Sequence, residues 1–154
     1  MKPPAQTRNR QPPKDAARTT AADLDALATL LGDIARAAGA VVLQHYAAGT
    51  SVAWKGDGSP VTAADEAAND FILERLHREL PGIVVVTEER DWRSIPPAAL
   101  EREFILVDPL DGTREFIARN GEFTVNIALI REAMPVAGAV HVPAFDELYT
   151  GGLV

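Results

Sequence analysis

Two short apolar runs, IVVVT at residues 83–87 and FILV at 104–107, each run straight into acids: Glu88 and Glu89 after the first, Asp108 after the second. Short β-branched runs bounded by Pro81-Gly82 on one side and by charge on the other read as buried strands. Buried strands need a second layer to cover them. If the two are neighbours, Glu88, Glu89, Asp108 and the nearby Asp111 meet at one sheet edge.

The covering layer is legible upstream. Leu24, Leu27, Leu31, Ile34, Ala38 and Val41 recur at three- and four-residue steps, which predicts an amphipathic helix ending near Gly49. TAAD at 20–23 gives it a capping-box start. A second helix is predicted from Thr62, with Asp65 three residues on and Ala64, Ala68, Phe71, Ile72 and Leu76 along one face, stopping before Pro81-Gly82. KGDGSP at 55–60 reads as turn chemistry. Residues 90–103 read as a loop with one short helical turn, and DGTREFIARNG as a short helix closed by Asn120-Gly121. EFTVNIALI, PVAGAVHV and ELYTG follow as antiparallel strands, so the expected class is α/β, an α+β layered sandwich.

Composition narrows the function classes. With 22 acidic residues against 15 basic ones, the chain lacks the basic footprint of a non-specific nucleic-acid binder. The absence of cysteine excludes thiolate catalysis, disulfides and cysteine zinc sites. No uninterrupted apolar run reaches the ~18 residues of a membrane span. Residues 1–22, rich in proline, glutamine and charge, are expected to be a disordered leader without a signal-peptide core, ahead of one domain at 23–154. The expected compartment is the cytoplasm.

Ionised carboxylates crowded at one edge repel, and the repulsion is relieved by a proton or by a cation. Oxygen donors with neither cysteine nor a nearby histidine suit Mg²⁺. Pro109 fixes φ so that Asp108 and Asp111 can face one point, and the amides around Gly112 and Thr113 offer a place for a phosphate. Acids, metal and free amides together read as a phosphate-ester hydrolase. Each residue also has a plainer reading. Asp111 can be a helix cap, Asp108-Pro109 a turn, Asp65 the capping partner of Thr62, and Glu88-Glu89 a solvated strand end. Their co-occurrence favours chemistry. His45, His77 and His141 have no ligand spacing and are expected to be structural or superficial, and Trp54 and Trp92 to fill gaps.

DPLDGTREF at 108–116, preceded by FILV, with VTEE and GSPVTAAD upstream, resembles the Mg²⁺-dependent, lithium-sensitive phosphatase superfamily of inositol monophosphatases and fructose bisphosphatases. The run through NGEFTVNIAL resembles its 3'(2'),5'-bisphosphate nucleotidase branch of the CysQ type; inositol monophosphatases usually carry Asn-Phe where Glu115-Phe116 stand here. The resemblance covers residues 24–151 and implies the N-terminal part of the inositol monophosphatase, or sugar phosphatase, fold. It implies Glu88, Asp108 and the Leu110 carbonyl as ligands of one Mg²⁺, with Asp108 bridging to a second ion also held by Asp111. It further implies Asp65 and Thr113 as the pair that orients and deprotonates the attacking water. Phosphate would be held among Glu88, Leu110, Asp111, Gly112 and Thr113. Glu89 matches an acid near the site, and Thr87 stands where serine or glycine is commoner, an exchange expected to matter little.

The implied substrate is a small nucleotide bisphosphate, adenosine 3',5'-bisphosphate, hydrolysed to AMP in a step linked to sulfate assimilation, with Li⁺ inhibiting at a magnesium position. An inositol monophosphatase is the alternative. Members of this branch can also sit at the cytoplasmic face of the inner membrane. The family continues into a second domain whose Trp-Asp motif completes the second metal site, whereas the tryptophans here are followed by Lys55 and Arg93. That departure raises a further alternative, a truncated, non-catalytic metal-binding fragment. It also predicts self-association through the face that a second domain would cover.

Overall fold

The computed structural model describes residues 20–49, 51–58 and 60–152. Thr20 opens helix α1 (Ala21–Ala48) through a complete capping box with Asp23. The expected leader lies outside the described residues as far as residue 19. Leu24, Leu31, Ile34 and Ala38 are buried as the periodicity predicts, but Val42 rather than Val41 closes the stripe. A real helix turns every 3.6 residues, so a stripe read at 3.5 drifts by roughly 20° per seven residues.

A hairpin of β1 (Val52–Trp54) and β2 (Pro60–Thr62) leads into helix α2 (Ala63–Glu79), capped by Thr62 with Asp65. Ala64, Ala68, Ile72 and Leu76 form its buried face. The main sheet has five strands in chain order: β3 (Val84–Thr87), β4 (Glu103–Asp111), β5 (Thr124–Arg131), β6 (Met134–Val142) and β7 (Glu147–Gly152). The β3–β4 pair is parallel and every later pair antiparallel. Helix α1 lies across β5, β6 and β7 while α2 lies against β4, so one face of the sheet is covered. Ile105, Val107, Val125, Ile127 and Leu129 point into that core. Among the described residues α1 is the one helix long and apolar enough to cross a membrane, and its apolar stripe is the one spent on this packing.

Four expectations change in the structure. Strand β3 is half-buried rather than buried and stops at Thr87, because it is an edge strand paired only to β4, and Glu88 and Glu89 fall in the turn beyond it. The loop after it holds two helical turns, a 3₁₀ turn at Trp92–Ser94 and α3 (Pro97–Leu100). Helix α4 (Thr113–Ala118) is closed by Arg119 in the left-handed conformation, one residue before Asn120-Gly121. Trp54 and Trp92 fill no gap; they are 69% and 51% exposed. His141 is buried beside α1, where Gly39 leaves room for its ring, and His77 is exposed.

The other face of the sheet is open. Leu106, Val140 and Tyr149 are exposed on it, around a shallow groove of 360 Å³ whose polar end is formed by Asp108 and Asn126.

Candidate metal and active site

Parallel pairing places the C-terminal ends of β3 and β4 at the same sheet edge. Thr87 pairs with Val107, and the Glu88 N–H donates to the Val107 carbonyl at 3.2 Å, which makes Glu88 and Asp108 neighbours across the strands. Asp108 and Asp111 are three residues apart and would face opposite sides of a regular strand, where side chains alternate. The register shifts between them: Asp108 lies opposite Asn126 and Asp111 opposite Thr124. Three steps on β4 against two on β5 make a bulge, and Pro109 sits in it because it has no N–H to offer the ladder. Both aspartates therefore return to one face. There Leu110 N–H donates to Asp108 Oδ1 at 3.3 Å, and Asn126 Nδ2 donates to Asp111 Oδ2 at 3.4 Å.

Gly112 then turns the chain in the left-handed region, at φ 88° and ψ 40°. A Cβ there would sit 2.7 Å from the Glu122 carbonyl oxygen, so both the torsion and the packing require glycine. Helix α4 is held on the core by Phe116, whose ring meets Phe123 and Tyr46 with centroids 5.2 Å away, while Tyr46 and Phe123 are 4.9 Å apart. Arg119 completes the anchor, donating from Nη1 to the Tyr46 carbonyl at 2.7 Å.

The Thr113 hydroxyl stands between two chain segments, 3.1 Å from Asp65 Oδ1 and 3.2 Å from the Leu110 carbonyl oxygen. Asp65 is buried, and its Oδ2 accepts from the Thr62 N–H at 2.7 Å and the Thr62 hydroxyl at 2.6 Å. The capping reading and the site reading therefore hold for the same side chain. One oxygen caps α2, and the other faces Thr113.

Among the described residues no three His, Cys, Asp or Glu side chains already converge as a ligand set. The acids are nonetheless close enough to act on one another. Burial, then the negative charges of Glu88 and Asp111, push the Asp108 carboxyl up to about 7. Burial also raises Glu89, against the opposing pull of Lys55, whose ammonium lies 2.8 Å from Glu89 and 3.4 Å from Glu88. One cation already belongs to the chain itself. Asp108 faces two like charges, so a hard cation among Glu88, Asp108, Asp111 and the Leu110 carbonyl would relieve what burial imposes. These all-oxygen donors fit Mg²⁺.

All the residues expected at the site, Asp65, Glu88, Asp108, Leu110, Asp111, Gly112 and Thr113, lie on α2, the turn after β3 and the bulged end of β4 into α4. Three further residues join them in the structure. Lys55 reads in the sequence only as part of a turn, although it is the cation of that turn, two residues from Asp57. Asn69 stands four residues after Asp65, hence on the same helical face. Thr87, expected to matter little, donates from its hydroxyl to Asn69 Oδ1 at 2.7 Å with both side chains buried.

Residues 23–153 match the inositol monophosphatase family. The chain is 50% identical over 122 residues to the 3'(2'),5'-bisphosphate nucleotidase CysQ of Salmonella typhimurium, covering 75% of this chain and 48% of that protein. Among solved structures, the extragenic suppressor protein suhB of Bartonella henselae superposes with a TM-score of 0.72 at 29% identity, over 82% of this chain and 49% of that one. CysQ of Bacteroides thetaiotaomicron superposes at 0.66 and 39% identity, over 83% and 46%. The chain spans about half the length of the curated relatives it matches. With the family's match running from the start of α1 to the end of β7, this chain belongs to the inositol monophosphatase family.

Proposed function

We propose that the chain carries the metal-binding and water-activating part of a phosphomonoester hydrolase that removes the 3'-phosphate of adenosine 3',5'-bisphosphate to give AMP. The observation that carries this reading is the Thr113–Asp65 hydrogen bond, which joins segments 48 residues apart beside an aspartate whose carboxyl is pushed up by burial and then by neighbouring negative charge. Glu88, Asp108, Asp111 and the Leu110 carbonyl would hold Mg²⁺, two or more ions in all, with Li⁺ as a competitor. Bound Mg²⁺ supplies Lewis-acid polarisation of the phosphate and neutralises charge on the leaving oxygen.

The chain's own residues do the rest. Thr113 Oγ1 accepts a hydrogen bond from the attacking water while donating to Asp65 Oδ1, so the water's proton passes through the hydroxyl to Asp65. Water oxygen forms the new P–O bond as the bond from phosphorus to the ribose 3'-oxygen breaks. That oxygen takes a proton from solvent water to become the hydroxyl of AMP, Asp65 gives its proton back to solvent, and inorganic phosphate is the second product. Asp65 keeps its place during the transfer because Oδ2 is fixed by the Thr62 cap. The amides of Gly112 and Thr113 orient the phosphate. A cytoplasmic location and a link to sulfate assimilation belong to the same reading, as does the alternative of an inositol phosphate substrate.

The second reading is a chain that binds metal without turnover. The two separate in one assay: phosphate release from adenosine 3',5'-bisphosphate with Mg²⁺, with and without Li⁺, for the chain and its Asp108→Asn variant, beside inositol 1-phosphate. Lithium-sensitive release lost in the variant supports the hydrolase. Calorimetric Mg²⁺ binding without release supports the half-site, and neither would sink both readings. The exposed apolar residues Leu106, Val140 and Tyr149 support self-association through the open sheet face. Sedimentation of the chain and of Leu106→Glu tests it: a dimer lost in the variant is the expected result, and a monomer in both refutes it.

A further inference from the structure

The turn that carries Glu88 and Glu89 is unusual in how it is held. It is flanked on both sides by side-chain links to consecutive residues of α2. Before the acids, the buried Thr87 hydroxyl donates to Asn69 Oδ1 at 2.7 Å. After them, Arg90 Nη2 meets Asp70 Oδ1 at 2.7 Å. The Thr87 oxygen also accepts from the Glu89 N–H at 3.5 Å, and Arg90 N–H reaches back to the Thr87 carbonyl at 3.4 Å. The helix at the other end of these links is the one whose first turn holds Asp65.

We propose that Asn69 and Thr87 are positioning residues, a buried polar staple that fixes the Glu88–Glu89 turn to helix α2 and so sets the acids in register with Asp65. This rests on the metal-site reading above for its consequence, but not for its geometry. The two links are unequal in weight. Arg90 and Asp70 are both well exposed, so their ion pair is screened and adds little. Asn69 and Thr87 are 1% and 4% exposed, and breaking one partner strands the other without water. A hydroxyl is needed here because the same oxygen must donate to Asn69 and accept from Glu89. Valine has the shape of threonine and neither capacity, whereas serine has both.

Groups that orient metal-binding carboxylates typically change metal affinity by 10- to 100-fold when removed. The test uses the whole chain and its Thr87→Val, Thr87→Ser, Asn69→Ala and Arg90→Ala variants, with two readouts. Calorimetry measures Mg²⁺ affinity, and hydrogen exchange of the metal-free chain measures order at residues 88–90 against core amides of β5. Thr87→Val and Asn69→Ala should each speed exchange at 88–90 by about tenfold or more with β5 unchanged. They should also weaken Mg²⁺ by about tenfold or more, and the double variant should be little worse than either single one. Thr87→Ser should restore both readouts and Arg90→Ala should shift them less than about twofold. Exchange at 88–90 unchanged in both Thr87→Val and Asn69→Ala overturns the staple, as does a serine variant that behaves like valine. Faster exchange in both variants of a parent chain that itself binds no Mg²⁺ would instead retain the staple and remove the metal reading. If Thr87→Val fails to fold, Asn69→Ala carries the same test.

Discussion

Replacing Asp108 by asparagine should stabilise the metal-free chain at pH 8 while abolishing its stabilisation by Mg²⁺. The Asp108 carboxyl is pushed from an ordinary 3.8 to about 7, by burial first and then by Glu88 and Asp111. Between those pH values the folded chain keeps a proton that the unfolded chain has lost. Its contribution to stability is therefore full below about pH 4, falls as pH rises, and is gone above about pH 7. A gap of about three units at about 1.36 kcal/mol each gives about 4 kcal/mol. Water reaches part of this carboxylate, so about half, about 2 kcal/mol, is the working figure. Asparagine has no proton to lose and keeps an oxygen for the Leu110 N–H. The variant should therefore match the parent near pH 4 and melt about 4–8 °C higher at pH 8. With Mg²⁺ at pH 8 the order should reverse, because the cation stabilises only the chain with the full set of charges. Thermal unfolding from pH 4 to 8, with and without Mg²⁺, measures both effects. A melting offset independent of pH, or an equal Mg²⁺ shift in both chains, would refute the reasoning.

Lys55→Met removes the cation that opposes the rise of Glu89, so the Glu89 carboxyl should titrate still higher in the metal-free chain, followed by its side-chain carboxyl NMR shift; no movement would mean that the 2.8 Å pair is not held in solution. Thr113→Val takes away the hydroxyl between Asp65 and Leu110. It should lower phosphate release roughly 10²-fold or more with Mg²⁺ affinity retained, and an unchanged rate would remove Thr113 from the chemistry. Gly112→Ala forces a Cβ against the Glu122 carbonyl at positive φ and should cost on the order of 1–3 kcal/mol in urea unfolding; a neutral result would mean that the turn relaxes freely.

The helices and the ladder were legible because their signals are local. Capping boxes at Thr20 and Thr62 and apolar stripes on α1 and α2 are written within a few turns, and strand β5 announces itself by alternation. The edge position of β3 was not legible, since burial depends on what lies beside a strand rather than on its own β-branched residues. Trp54 and Trp92 failed for the same reason: size predicts burial only where a core is at hand. At the site, the acids stood out as a motif, but Asn69 and Thr87 are polar residues that look interchangeable until the fold brings them together across 18 positions.

The acids share an edge because of the single parallel pair in the sheet. Had β3 returned as an antiparallel hairpin into β4, Glu88 would lie at the opposite end of the partner strand from Asp108. A parallel return needs a dozen or more residues to cross back, and the segment from Glu88 through Arg102, with its 3₁₀ turn and α3, is that crossover. The same long connection leaves the Glu88–Glu89 turn with few backbone bonds of its own. The Glu88 N–H to Val107 and the Arg90 N–H to Thr87 are the backbone bonds the structure places there. The topology that assembles the carboxylates thus also loosens one of the three segments bearing them. Strand β4 is locked by its neighbours on both sides and Asp65 by its own helix cap, so the β3 turn is the segment whose position must come from side chains. Lys55 binds it from the hairpin and the Asn69–Thr87 pair binds it from α2. A cation that displaced Lys55 from Glu88 would still find the turn held from the helix side.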